Sequence, residues 1–223
     1  MIEVIEILLF AIWFKHQAKL KDNSHFNKGF VFSLPEQNDI LITGINPSDN
    51  KKESHHFIYS HANHRYFTKL KKIVPDAAYL DLFNVRGEQK IIHELIRENT
   101  DFMVDQLQLT QCLIELVVKP KLVIVFNKGS WLFWGYHATS KDKIWMGYDL
   151  EPVKEMKHGN LMLVKGFINH PDRILKTHHS TVLENRHIYF SKYLGRVSNI
   201  EIEEIKEELQ YAINHTKKIS HKL

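Results

Sequence analysis

Cysteine is almost absent: Cys112 stands alone in 223 residues. One thiol excludes an intrachain disulfide framework, a cysteine-ligated iron–sulfur cluster and an all-cysteine zinc site, and it fits a reducing cytoplasm. It lies in the apolar stretch QLQLTQCLIELVV and is expected to be a buried small hydrophobe. Glycine and proline are also scarce, at nine and six. With no low-complexity segment, disorder is expected only in the last few residues. A long apolar run is missing too. The opening VIEILLFAIWF is interrupted by Glu6, follows no basic residue and is too short to span a bilayer. It reads as a core-packing amphipathic helix to about Leu20, and no membrane partner is expected. No G-x-x-x-x-G-K-[ST] loop, G-x-G-x-x-G fingerprint or G-x-S-x-G elbow is present, which argues against ATP, NAD and hydrolase-elbow chemistry. No cofactor is expected.

What remains is ordinary for a globular chain. Hydrophobic residues make up 43% and charged residues 25%, enough for one α/β domain with a sizeable core. A net charge of +4 permits a polyanionic partner without demanding one.

Strand-length apolar runs alternate with helical patterns. Strands are predicted at residues 39–44 (DILITG), 77–84 (AAYLDLFN) and 121–127 (KLVIVFN). RILKT at 173–177 is a weaker fourth, and NLMLVKGFI at 160–168 an additional one. Helices are predicted at 63–74, 88–99, 102–118, 130–137, 181–194 and 200–214, with 141–159 as an excursion. This order implies βαβ units and a mainly parallel sheet of four or five strands, an α/β fold of three α/β/α layers. No linker divides the chain, so residues 1–223 read as one domain. In such folds ligands bind beyond the carboxyl ends of the strands. Asn46, Asn84, Asn127, His178 and His179 lie just past predicted strands and are the first candidates for a polar pocket.

Four segments carry a resemblance. GINPS (Gly44, Ile45, Asn46, Pro47, Ser48) follows a strand. YSHANHRYF runs from Tyr59 to Phe67. YLDLFN ends in Asn84. RILKTHHST contains His178, His179 and Ser180. In this order and spacing they resemble the motifs of the uracil-DNA glycosylase superfamily, most closely its mismatch-specific uracil/thymine branch. The resemblance implies a DNA glycosylase that hydrolyses the N-glycosidic bond of uracil or a related deaminated base, with DNA as partner. No metal, cofactor or obligatory protein partner is implied. The alternative is a catalytically weak or inactive relative that binds nucleic acid. Ser48, Ala62 and His179 depart from the branch's Gly, Pro and Pro, and residues 49–56 are hydrophilic where the family has a Gly-containing loop.

Such an enzyme must flip a base into a pocket, hold it, stabilise the departing anion and position a water. On the resemblance, Asn46 positions the water, and His178 donates to the base carbonyl as charge develops. Asn84 reads the base with its paired donor and acceptor. Tyr59 stacks on the base, with Phe57 as the substitute if the register slips by two. Gly44, Ile45, Pro47, Ser48, His179 and Ser180 complete the substrate-binding set. Plainer readings stand beside these: a turn at Asn46, a strand-end cap at Asn84, core packing for Tyr59 and satisfied loop histidines at 178 and 179. Lys51, Lys52, Lys69, Lys71 and Lys72 are either a DNA-facing rim or a solvated face. Arg65 is expected in a structural ion pair. His61 and His64 have a metal-pair spacing, but no carboxylate cluster accompanies them.

Overall fold

The computed structural model describes residues 1–48, 55–138, 143–176, 179–192 and 194–220. Its centre is a mostly parallel sheet flanked by helices. In chain order the strands are β1 (Phe32–Ser33), β2 (Ile40–Gly44), β3 (His56–Phe57), β4 (Ala78–Asp81), β5 (Leu122–Val125), β6 (Tyr148–Glu155), β7 (Gly159–Phe167) and β8 (His187–Ser191). Six of them form one sheet in the order β4-β2-β5-β8-β7-β6. β4, β2, β5 and β8 are mutually parallel, whereas β7 runs antiparallel to both β8 and β6. β1 and β3 form a separate two-residue parallel pair.

The central strands are short Val/Ile/Leu runs because both of their faces are covered. Alternate residues feed two cores. Leu41, Leu80, Val123 and Ile188 enter the larger one, and Ile42, Tyr79, Ile124 and Tyr189 the smaller. The larger core also takes residues from α1 (Ile2–Leu20), α3 (Lys90–Glu98) and α4 (Thr100–Leu113), and the smaller from α2 (Arg65–Ile73) and α6 (Asn199–Ser220). A four-residue helix, α5 (Trp131–Trp134), joins the larger.

Local chemistry sets several helix ends. His64 Nδ1 accepts from Tyr66 N–H at the start of α2, and Asn99 Oδ1 from Phe102 N–H at the start of α4, each satisfying an orphan donor. A π-helical turn, Ile114–Val118, follows α4 and stops at left-handed Lys119, before Pro120.

Five expectations need correction. The sheet has six strands rather than four or five. Residues 173–177 form no regular strand among the described residues; Arg173 makes only an isolated bridge to Ile144. The fourth parallel strand is β8, inside the segment expected to be a helix at 181–194. All five β8 residues are buried, so the strand lacks the alternation that separates a strand from a buried helix. Finally, α1 is not amphipathic. Ile5, Leu9, Trp13 and Leu20 are buried, yet Val4, Ile7, Phe10 and Phe14 are exposed. Cys112 is half-buried rather than buried. Among the described residues, no helix is long and apolar enough to cross a membrane.

Candidate active site

In chain order β2 is joined to β4 on one side, and the next sheet strand, β5, pairs on the other side of β2. This reversal opens a crevice at the carboxyl ends of the strands, the usual ligand position in an open α/β sheet. A cavity of about 470 Å³ lies there, within the size range of small-molecule sites. Its lining comes from Val31, residues 44–48 at the end of β2, residues 56–58, 61–64 and 66–67, Tyr79 and Asp81 on β4, Arg86, and Asn127 beyond β5.

The GINPS segment lines the cavity from end to end: Gly44, Ile45, Asn46, Pro47 and Ser48 all take part. Its path is fixed by the next loop. Gly87 N–H donates to Pro47 O at 3.0 Å, and φ +149° at Gly87 is a conformation that favours glycine. Asn46 Nδ2 donates to Gly87 O at 2.9 Å, with Pro47 O and Val85 O at 3.3 and 3.4 Å. The amide orientation is therefore set, and Oδ1 makes no hydrogen bond among the described residues. An acceptor held this way can orient a water.

Beside it lies a buried pair. Asp81, 4% exposed, accepts a hydrogen bond from Tyr79 Oη at 2.9 Å on Oδ1. Burial pushes the Asp81 carboxyl up to about 7, although the Tyr79 hydrogen bond acts in the opposite direction. Burial also raises the Tyr79 phenol, and the neighbouring carboxylate adds to that. The pair needs Gly44, its cross-strand neighbour: a Cβ there would collide with Tyr79 Oη and Asp81 Oδ1.

Another part of the wall is aromatic and imidazole-bearing, with Phe57, Tyr66, Phe67, His56, His61 and His64. Lys71 Nζ ties this wall down by donating to Ser60 O and Ala62 O at 2.7 and 2.8 Å. Asn127 is held by Gln89, donating to its Oε1 at 3.1 Å and accepting from its Nε2 at 3.2 Å.

Comparison with known proteins assigns no family: no family model matches the sequence, and no curated protein matches it.

The structure departs from several predicted placements. Asn84 is buried but off the cavity lining. β4 ends at Asp81, and Leu82 and Phe83 then hydrogen-bond to Gly44 O and Ile45 O, so Tyr79 and Asp81 are the residues of this segment that reach the cavity. Tyr59 is also off the lining. It is buried in the smaller core, stacks on Tyr79 with centroids 5.7 Å apart, and donates to Val74 O. Phe57, two residues earlier, lines the cavity instead. His179 and Ser180 are exposed and do not line it, while His178 lies outside the described residues. Of the expected rim lysines, Lys69 and Lys71 are turned to backbone carbonyls, and Lys51 and Lys52 lie outside the described residues. Arg65 makes no ion pair among the described residues. No group of three or more metal-ligating side chains occurs among them either.

Sequence reasoning missed Tyr79, Asp81 and Arg86. The signal for Asp81 was there: a lone carboxyl inside the apolar run AAYLDLF is buried against its own solvation, and such residues often mark function.

Proposed function

We propose that the protein is a DNA glycosylase, folded as a three-layer α/β/α sandwich, that removes uracil or a related deaminated base. The observation that carries this reading is Asn46: its Nδ2 is held by Gly87 O, and it sits at the carboxyl end of β2 in a cavity large enough for a nucleobase. Phe57 supplies an aromatic face for a flipped base.

In the reaction Asn46 Oδ1 accepts a hydrogen bond from a water and directs its oxygen at C1′ of the sugar. The C1′–O bond forms, and the N-glycosidic electron pair leaves with the base. The water's proton passes to solvent. An amide is too weak a base to take that proton, so the rate rests on positioning and on donors to the departing base. His178 holds the donor role on the family resemblance alone.

A second reading, binding of nucleic acid without hydrolysis, is favoured by one observation: His179 and Ser180 are exposed and away from the cavity. Single-turnover excision, with protein in excess over oligonucleotides carrying uracil, hypoxanthine, xanthine or a G·T mismatch, separates the two. The expected result is cleavage that Asn46→Ala reduces by at least about 10²-fold with an unchanged melting temperature. Cleavage at the wild-type rate by the variant removes Asn46 from the role. No cleavage of any substrate favours the binding reading.

A further inference from the structure

Asp81 is the one carboxyl that lines the cavity among the described residues. The sequence motifs gave it no role. It is buried, its side chain accepts one hydrogen bond, from Tyr79 Oη, and it makes no ion pair among the described residues. Its Oδ2 has no hydrogen-bond partner among them. The supporting phenol is itself fixed, stacked on Tyr59 and met edge-on by Phe67 at 5.0 Å and 88°. Gly44 leaves the space in which the pair sits. A preorganised carboxyl facing a largely apolar cavity with an unused oxygen is built for a ligand.

Its chemistry narrows that ligand. Because the Tyr79 phenol donates to Oδ1, a carboxyl proton belongs on Oδ2. The neutral acid then presents an O–H donor on Oδ2 beside an acceptor on Oδ1, whose second lone pair is still open. That is the hydrogen-bonding pattern of an amide side chain. Its complement is a ring lactam, a C=O next to an N–H, which uracil, hypoxanthine and xanthine share.

The geometry points to Asp81 as the base-reading group of this cavity, with Oδ2–H donating to the ring carbonyl of a lactam-bearing base and Oδ1 accepting from the adjacent ring N–H. The inference rests on the reading of the cavity as a base pocket and names the substrate class. It also fills the place that Asn84 leaves by not lining the cavity. On the acid side of its titration no proton changes hands: Asp81 is neutral before and after binding.

Ionisation of Asp81 removes the donor and sets a carboxylate against the ring carbonyl, so binding weakens as pH rises. Burial holds this carboxyl near 7, and the loss falls between about pH 6 and 8.5. Other charged or titratable groups also line the cavity: Tyr66 on α2, His56 on β3, His61 and His64 between β3 and α2, and Arg86 after β4. Because these groups share the cavity, the pH dependence must be read against a variant that keeps the hydrogen bonds at position 81 but does not ionise. Asp81→Asn is that variant.

The experiment is an NMR titration of the full chain with 1-methyluracil, whose N1 is blocked as in a nucleotide, and with 1,3-dimethyluracil, which has no ring N–H, at pH 6.0 and 8.5, for wild type, Asp81→Asn and Asp81→Ala. Wild type is expected to bind 1-methyluracil at pH 6.0 and at least about tenfold more weakly at pH 8.5, and to bind 1,3-dimethyluracil at least about tenfold more weakly than 1-methyluracil. Asp81→Asn should retain 1-methyluracil within about threefold at both values, and Asp81→Ala should lose it. Equal binding of the two ligands overturns the inference without any variant. So does a pH dependence that survives in Asp81→Asn, or no 1-methyluracil binding at either pH. Binding of 1-methyluracil that depends on Asp81 in a protein that excises nothing leaves this inference standing and removes the catalytic reading. Wild-type excision by Asp81→Ala does the reverse.

Discussion

Asp81 and Glu115 are both buried carboxyls, 4% and 2% exposed, yet their surroundings differ. Glu115 lies in the π-helical turn after α4 and accepts three hydrogen bonds. Tyr148 Oη and Thr181 Oγ1 reach Oε1 at 2.8 and 2.6 Å, and Val182 N–H reaches Oε2 at 2.8 Å. Both oxygens are used, and three distant segments are drawn together: the end of α4, the start of β6 and the loop before β8. Asp81 has one donor and a face turned to the cavity. The difference separates two uses of a buried charge-bearing group. One that serves architecture is surrounded by donors of the same chain. One that serves a ligand is left short of partners, and burial then disfavours its ionised form.

The sharpest way to break this comparison is Glu115→Ala. It strands the Tyr148 hydroxyl, the Thr181 hydroxyl and the Val182 N–H in the interior. The expected loss is about 3–5 kcal/mol, read as a fall of roughly 10 °C in melting temperature. A fall of under about 2 °C would show that Glu115 is not the anchor of the loop before β8. Asp81→Asn should act in the opposite direction. Asp81 holds its proton up to about 7 when folded, against an ordinary 3.8. Between those values the folded protein keeps a proton that the unfolded chain has released, so this residue's contribution to stability falls as pH rises from about 4 through 7. The variant should be more stable than wild type at pH 8, by an amount on the order of a few kcal/mol, and equal to it near pH 4. Thermal melts across that range test the sign, and a variant gain that is the same at both ends would refute it. Gly44→Ala is the smallest perturbation. It pushes a methyl group into the Tyr79–Asp81 pair, for an expected cost of about 1–3 kcal/mol. Chemical denaturation would measure it, and a neutral result would mean that the pair has room to move.

The elements legible in the sequence were those with a single solution. DILITG and KLVIVFN are short apolar runs next to turn residues, and β2 and β5 lie within them. The segment HIYFS was not legible, because a strand buried on both faces shows no alternation and shares its composition with a buried helix. The GINPS segment was found as a cavity wall because an Asn-Pro turn after an apolar strand places its residues at the strand's carboxyl end. Asn84 and Tyr59 were misplaced for different reasons. The strand before Asn84 stops at Asp81, two residues before the end of its apolar run at Phe83. Tyr59 and Phe57 are both aromatic and two residues apart, and only packing distinguishes the one that stacks on Tyr79 in the core from the one that faces the cavity. Asp81 was written in plain view, but its role depends on its neighbours Tyr79 and Gly44, whose contacts a one-dimensional reading does not contain.

The outer strand of the sheet has a bearing on how copies of this chain meet. β6 pairs with β7 alone and shifts register twice along its length, near Leu150 and again after Pro152. An open strand edge is a template on which another chain can continue the ladder, the first step toward fibrous association. Here Pro152 withdraws one N–H from that edge, the register shifts bend it, and Asp149, Glu151, Lys154 and Glu155 keep their side chains exposed along it. The side of the sheet farthest from the cavity is thereby a poor surface for strand addition, and the protein can be concentrated without its sheet growing outward from that edge.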